Sequence, residues 1–127
     1  AHQAVPQTNS RWHDDALELI DTCNNGIAAA TEAGLIVPVL HGAEKLDLFQ
    51  TAEALQRLTT RAREGKMTKD DVQRGTFTIT NHGTSGSLIA TPIINQPQSA
   101  ILGIGKMEKR VVVVEKRGKD VLCNADN

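Results

Sequence analysis

The stretch "DLFQTAEALQRLTTRAREG", Asp47–Gly65, decides the fold because it is a long helix-type pattern among strand-type segments. Apolar residues recur in it every three or four positions, and charged or amide side chains fill the positions between them. This spacing predicts an amphipathic helix of about five turns. Asp47 is a suitable N-cap, and Gly65 is a suitable end of the helix. The apolar positions are Leu48, Ala52, Leu55, Leu58 and Ala62.

Strand-type segments precede this helix. Gly26–Thr31 and Leu35–Leu40 enclose an acidic, glycine-ended connection, which is typical of a β-hairpin. Pro38 has no amide N–H to donate to a ladder, so it predicts either an edge strand or a bulge. Leu17–Asp21 is a further short candidate strand.

More strand-type segments follow the helix. Thr68–Asp71 first shows the spacing of a capping box, which predicts a short second helix. The order of strands, one long helix and strands again predicts an α+β fold with a mixed sheet, in a single domain over residues 1–127. The predicted strands after the helix are Gly75–Thr80, Ile93–Asn95, Ala100–Gly105 and Val111–Val114.

Composition excludes several function classes from our expectations. Lys+Arg 14 against Asp+Glu 15 among 127 residues gives no reason to expect a nucleic acid or an anionic membrane as partner. Cys23 and Cys123 lack zinc-type neighbours and are typical of a reducing compartment, although the sequence leaves one disulfide open. No apolar run approaches the length of a membrane span, so we expect a soluble chain.

The segment "TFTITNHGTSGS", Thr76–Ser87, is a strand pattern that ends in a loop rich in glycine, hydroxyl groups and histidine. A phosphate-binding loop needs a different glycine spacing and a following lysine, and both are missing. No two of the four histidines (His2, His13, His41 and His82) stand at ligand spacing on one element, so no metal site is expected.

Thr76, Thr78 and Thr80 share one face of this predicted strand, opposite Phe77 and Ile79. A hydroxyl held at a strand end can donate a hydrogen bond to an oxyanion. The simpler alternative is that threonine forms strands well on a solvated face, and the pattern alone favours that alternative.

Four segments, taken together, resemble the catalytic domain of the dihydrolipoamide acyltransferases of 2-oxo acid dehydrogenase complexes. They occur in the family's order, with similar spacing, over nearly the whole chain. These segments are "VPQTNSRW" (Val5–Trp12), "GLIVPVL" (Gly34–Leu40), "RAREGKMTKDDVQRGTFTITNHG" (Arg61–Gly83) and "TPIINQPQSAILGIGKMEKR" (Thr91–Arg110).

The resemblance implies a chloramphenicol-acetyltransferase-like fold and a homotrimer that builds a larger core. It implies acyl transfer between a dihydrolipoyl group and coenzyme A, with coenzyme A as a substrate and with no cofactor bound in this segment. The lipoyl group is carried on a separate lipoyl domain, and the dehydrogenase components of the complex are further partners. The implied compartment is the bacterial cytoplasm or the mitochondrial matrix.

The family's oxyanion-stabilising serine lies in a Phe-Thr-Ile-Ser-Asn segment, which here reads Phe77-Thr78-Ile79-Thr80-Asn81. The resemblance therefore assigns Thr80 as the catalytic hydroxyl, with threonine in place of serine. The succinyl-transferring branch is similar in this respect, but the acyl specificity stays open.

The family's general base is a histidine in a downstream Asp-His-Arg motif followed by Asp-Gly, and none of the 127 residues forms that motif. The resemblance thus implies a partial catalytic domain, truncated at both ends. The alternative is a non-catalytic structural homologue or fragment of the core that lacks the catalytic histidine.

Overall fold

The computed structural model describes residues 2, 4–32, 34–116 and 119–124, with side chains through Val113. One α-helix interrupts a series of short strands, so the expected α+β class is confirmed. In chain order the elements are β1 Ser10–Trp12, β2 Leu17–Leu19, β3 Asn25–Thr31, β4 Gly34–Ile36, β5 Val39–Leu40, α1 Leu48–Arg63, β6 Phe77–Asn81, β7 Ile101–Ile104, β8 Val111–Lys116 and β9 Lys119–Asn124.

The main sheet has the order β4-β3-β6-β7, and β5 also pairs with β3. Strands β3, β6 and β7 run parallel, whereas β4 and β5 run antiparallel to β3, so the expected mixed sheet is confirmed. Helix α1 makes the crossover between the β5 edge and β6, as parallel neighbours require. Two separate two-stranded ladders are formed by β1 with β2 and by β8 with β9.

Pro38 lies between β4 and β5, the two segments that form the edge of the main sheet, and not in a bulge. Gly26 faces Val39 and Ala29 faces Ile36, so the pairing keeps one register on both sides of the proline. The Ile27 amide donates to the Pro38 carbonyl at 2.8 Å. Because no residue is inserted, the edge alternative is confirmed and the bulge alternative is wrong.

The predicted helix begins and ends where its caps indicate. Asp47 Oδ1 accepts from the Gln50 amide at 2.8 Å, and Gln50 Oε1 accepts from the Asp47 amide at 3.0 Å. At the other end Gly65 takes φ +67°, and the Lys66 amide donates to the Arg61 carbonyl at 2.9 Å. The buried face of the helix, Leu58 and Ala62, lies on the side of α1 that meets β3 and β5.

The short helix predicted at Thr68–Asp71 is a 3-10 turn, Asp70–Val72. Asp71 Oδ2 accepts from the Thr68 amide at 2.9 Å and from the Thr68 hydroxyl at 2.8 Å. Arg61 Nη2 lies 2.7 Å from Asp71 Oδ1 and joins the helix end to this turn. The Thr68 amide and hydroxyl, together with Arg61, hold the pKa of Asp71 below its usual range.

The strands of the structure differ from the predicted ones in four places. Residues 93–95 form no strand, because Pro92 and Pro97 flank them and cannot donate to a ladder. The short β1 and the whole of β9 were not predicted. The strand predicted at Val111–Val114 extends to Lys116 and forms a hairpin with β9.

Among the residues whose side chains the structure describes, the buried apolar set is small. It consists of Cys23, Val39, Leu40, Leu58 and Ala62, whereas Phe49, Ile93 and Met107 are 84%, 89% and 97% exposed. Across the described ranges, no helix combines the length and apolar character needed to cross a bilayer.

Candidate active site at the end of strand β6

The first two threonines of the row, Thr76 just before β6 and Thr78 within it, face the interior. Thr76 and Thr78 are 1% and 4% exposed, whereas Phe77 and Ile79 on the opposite face are half-buried. The interpretation of the row as a solvated face is therefore wrong. The hydroxyls of Thr76 and Thr78 are buried because polar groups from other segments of the chain cover them and form hydrogen bonds with them.

The Thr76 hydroxyl is bound by the N-terminal segment. Thr76 Oγ1 donates to Asn9 Oδ1 at 2.6 Å and accepts from the Asn24 amide at 3.0 Å. Asn9, itself 2% exposed, donates through Nδ2 to the Ile20 carbonyl at 2.6 Å and to the Thr22 carbonyl at 3.2 Å. The Asn9 side chain thus links the start of β6 to the segment that contains Ile20 and Thr22.

The Thr78 hydroxyl is bound by the segment that follows Pro97. Thr78 Oγ1 donates to Gln98 Oε1 at 2.6 Å, and both side chains are buried. Ser99 adds a second tie, because Ser10 Oγ donates to Ser99 Oγ at 2.8 Å. Thr76 and Thr78 are therefore held in place by buried hydrogen bonds between uncharged groups.

Thr80 is the next hydroxyl of the row, and it differs from the other two. Its side chain is half-buried and has no hydrogen-bond partner among the described residues. Ala28 on β3 and Gly103 on β7 stand directly beside it in the sheet. The small Ala28 side chain leaves room for a bound group on the β3 side of Thr80, whereas the His82 ring and Pro92 lie over Gly103 on the β7 side.

The loop after Thr80 passes very close to the end of β7. A Cβ on Gly83 would lie 2.3 Å from the Gly105 carbonyl oxygen, so only glycine allows this approach. The Asn81 Oδ1 accepts from the Gly83 amide at 3.0 Å, and the His82 amide donates to the Ile104 carbonyl at 3.0 Å. These bonds fix the loop against the sheet.

The histidines are dispersed over the structure. His13 Nε2 lies 3.0 Å from Glu18 Oε2, His41 Nε2 lies 3.0 Å from the Asp70 carbonyl, and His2 packs edge-on against Phe77. Within the described ranges, no three His, Cys, Asp or Glu side chains are grouped so that they could hold a metal ion.

The resemblance assigned Thr80 as the catalytic hydroxyl, but the sequence analysis did not predict Asn9 and Gln98 as hydrogen-bond partners of Thr76 and Thr78. The available signal was the resemblance itself, because two of its quoted segments contain Asn9 and Gln98. A row of threonines opposite apolar residues does not reveal which face is covered. The partner segments lie 67 and 20 residues away along the chain.

Comparison with known proteins identifies the family to which the chain belongs. The family model of the 2-oxoacid dehydrogenases acyltransferase catalytic domain matches residues 1–123. The dihydrolipoyllysine-residue succinyltransferase component of the 2-oxoglutarate dehydrogenase complex of Rickettsia felis is 43% identical over 115 residues, which cover 91% of this chain and 29% of the relative. The chain therefore spans less than a third of that relative's length.

Solved structures agree with the sequence comparison. A probable dihydrolipoamide acetyltransferase from Listeria monocytogenes matches with a TM-score of 0.87 at 33% identity, over 95% of this chain and 51% of that chain. The cubic core of a pyruvate dehydrogenase multienzyme complex matches with a TM-score of 0.86 at 32% identity, over 97% and 50%. The expected chloramphenicol-acetyltransferase-like fold is confirmed, and the chain belongs to the catalytic-domain family of the 2-oxoacid dehydrogenase acyltransferases.

Proposed function

We propose that Thr80 stabilises the oxyanion in acyl transfer between a dihydrolipoyl group and coenzyme A. The observation that carries this proposal is its hydroxyl, which is half-buried, fixed at a strand end and without a partner among the described residues. The buried bonds at Thr76 and Thr78 set the position of the strand that presents it. A donor fixed before the reaction needs no reorganisation when charge develops.

The chemistry requires such a donor. The sulfur of the attacking thiol bonds to the thioester carbonyl carbon, and the carbonyl oxygen takes up negative charge. The intermediate then collapses, the original carbon–sulfur bond breaks and the second thiolate leaves. Thr80 Oγ1 would donate its proton in a hydrogen bond to the oxygen at the intermediate stage. The base that deprotonates the attacking thiol is assigned by the resemblance to a downstream histidine motif.

We also propose that residues 1–127 form part of one catalytic domain within a trimeric, core-forming subunit. The exposed apolar side chains support this assembly, because water contact at Phe49, Ile93 and Met107 is unfavourable unless a neighbour covers them. The solved relative that forms a cubic core supports it from the comparison side. The lipoyl domain and dehydrogenase components would be further partners, in a bacterial cytoplasm or a mitochondrial matrix.

The test compares Thr80→Val with Thr80→Ser in the intact protein. Acyl transfer from acyl-coenzyme A to dihydrolipoamide is measured by steady-state kinetics. Removing one oxyanion donor costs on the order of 10²–10³ in kcat, so the valine variant should lose about that factor. The serine variant keeps the hydroxyl and should retain most activity. Equal activity in Thr80→Val and the unchanged protein would overturn the assignment.

A further inference from the structure

His82 continues the face on which the threonines lie. Thr78, Thr80 and His82 occupy alternate positions, and the His82 ring lies close to the neighbouring strand β7. Its Nε2 and Cδ2 atoms lie 3.3 Å and 3.6 Å from the position of a Cβ on Gly103, and its Cε1 atom lies 3.5 Å from that of Gly105. The two glycines therefore provide the room that the imidazole occupies.

The hydrogen bonding of the ring fixes its tautomer. His82 Nδ1 lies 3.3 Å from the Ser87 carbonyl oxygen. A carbonyl oxygen only accepts, so Nδ1 carries the proton in this contact. In the neutral ring Nε2 is then an unprotonated nitrogen, and it has no partner in the described part of the chain.

The free nitrogen lies next to the proposed oxyanion donor. Gly103, over which Nε2 sits, is the direct partner of Thr80 across the sheet. Neighbouring strands are about 4.8 Å apart, so the His82 ring lies over the strand position directly beside Thr80. Pro92 Cγ lies 3.0 Å from the Gly103 Cβ position and adds an apolar wall.

We propose that His82 Nε2 recognises the terminal carboxylate of an acyl group whose thioester carbonyl is bound by Thr80. This proposal rests on the proposed function of Thr80 and deepens it, because it selects the class of acyl group. A ring that binds a proton at Nε2 keeps its Nδ1 bond to the Ser87 carbonyl and gains a charged donor toward the ligand. A neighbouring carboxylate favours that charged form.

The dimensions of the ligand fit this arrangement. In a succinyl group three carbon–carbon bonds separate the thioester carbon from the carboxylate carbon, a reach of roughly 4 Å at standard bond lengths. This reach is close to the strand spacing between Thr80 and the place where His82 lies. An acetyl group has no second polar end, so His82 would contribute nothing specific to its binding.

The experiment uses His82→Asn in the intact protein, with succinyl-coenzyme A and acetyl-coenzyme A as the two donors and dihydrolipoamide as acceptor. Asparagine retains a donor in the position of Nδ1 for the Ser87 carbonyl and removes Nε2, so the loop keeps its tie. The ratio of kcat/KM for succinyl over acetyl transfer should fall about ten- to hundredfold, the range for a hydrogen bond to a charged group. His13→Asn, in an exposed pair with Glu18, is the matched control and should leave the ratio unchanged.

The outcomes separate this proposal from the one on which it rests. Thr80→Val should lower transfer of both acyl groups and leave their ratio nearly constant; if it lowers neither, the proposed function fails. If Thr80→Val lowers both but His82→Asn leaves the ratio unchanged or lowers both equally, the His82 proposal alone is overturned.

A measurement on the unchanged protein covers the case in which His82→Asn does not fold. With 15N-labelled histidine, solid-state NMR reports the protonation of His82 Nε2 without dihydrolipoamide present. Succinyl-coenzyme A should convert Nε2 to its protonated form, and acetyl-coenzyme A should not. An Nε2 signal that stays unprotonated with succinyl-coenzyme A contradicts the proposal.

Discussion

Thr78 Oγ1 donates a 2.6 Å hydrogen bond to Gln98 Oε1, and both residues are buried although 20 positions separate them. Strand β6 runs through the middle of the main sheet, with β3 on one side and β7 on the other. The segment around Gln98 leads directly into β7. This bond therefore ties the strand that presents Thr80 to the segment that leads into the neighbouring strand.

Replacing Gln98 by leucine should destabilise the protein by about 1–3 kcal/mol, because the Thr78 hydroxyl is left without a partner in the interior. Urea unfolding gives the difference. Thr78→Val combined with Gln98→Leu should cost less than the sum of the two single changes, since no polar group is then left alone. Strictly additive effects would contradict a direct coupling between the two side chains.

Asn9 offers a second test of the polar interior. Asn9→Ala leaves the Ile20 and Thr22 carbonyls without their side-chain donor, and we expect a loss of about 1–3 kcal/mol in the free energy of unfolding. Asn9→Asp should be worse than alanine at neutral pH, because it places a buried negative charge against two carbonyl oxygens.

Chemical denaturation of both Asn9 variants checks this order. Gln7→Ala, two residues earlier with an exposed side chain, is the control and should change little. An Asn9→Asp protein as stable as the unchanged one would show that the Asn9 amide is not needed as a donor.

Local signals made the helix predictable. Asp47 and Gln50 form the capping box inside four residues, and Gly65 ends the helix within its own turn, so the information for these features lies close in sequence. Pro38 likewise identified the edge of the sheet through its missing donor. The helix caps and the position of Pro38 depend on residues that are close along the chain, so the sequence pattern is sufficient to predict them.

The burial of Thr76 and Thr78 was not predictable from pattern, because it depends on which distant segments cover the face. A strand with threonine on one side and Phe77 and Ile79 on the other reads as amphipathic, with the hydroxyls toward water. In the structure Asn9 and Gln98 supply hydrogen bonds to that face. Hydroxyl groups that have hydrogen-bond partners can be buried. The threonine face of the strand therefore points toward the interior and not, as expected, toward water.

Asp71 should make stability depend on pH. Its folded-state pKa lies below the usual range because the Thr68 amide, the Thr68 hydroxyl and Arg61 favour the carboxylate. The ionised form is thus preferred in the folded protein, so its contribution is present above the ordinary pKa of aspartate and is lost as pH falls through the lowered value. Asp71→Asn should be less stable than the unchanged protein at pH 7, with a gap that narrows below about pH 4.

Thermal unfolding at pH 7 and below about pH 4 measures the difference in stability between Asp71→Asn and the unchanged protein. Asp14→Asn, an exposed aspartate, serves as the control and should show little gap at either pH. A difference for Asp71→Asn that is the same at pH 7 and at low pH would mean that the carboxylate charge contributes nothing.

Gly83→Ala tests whether the loop beside Thr80 must approach β7 as closely as the structure has it. The new methyl group would lie 2.3 Å from the Gly105 carbonyl oxygen and 2.6 Å from the Lys106 amide nitrogen, and both are backbone atoms that cannot rotate away. Overpacking of this kind costs roughly 1–3 kcal/mol. Because the loop follows Thr80 directly, acyl transfer should fall together with stability.

Two control variants separate this clash from other effects in the same loop. Thr84→Ala changes an exposed side chain in the same turn and should leave stability and activity nearly unchanged. Gly86→Ala meets no atom within 4 Å but must keep φ at +84°, so it should cost about 1 kcal/mol through backbone strain. If Gly83→Ala is no more destabilising than Gly86→Ala, the contact with β7 is looser than the structure indicates, and the loop does not hold Thr80 through close packing.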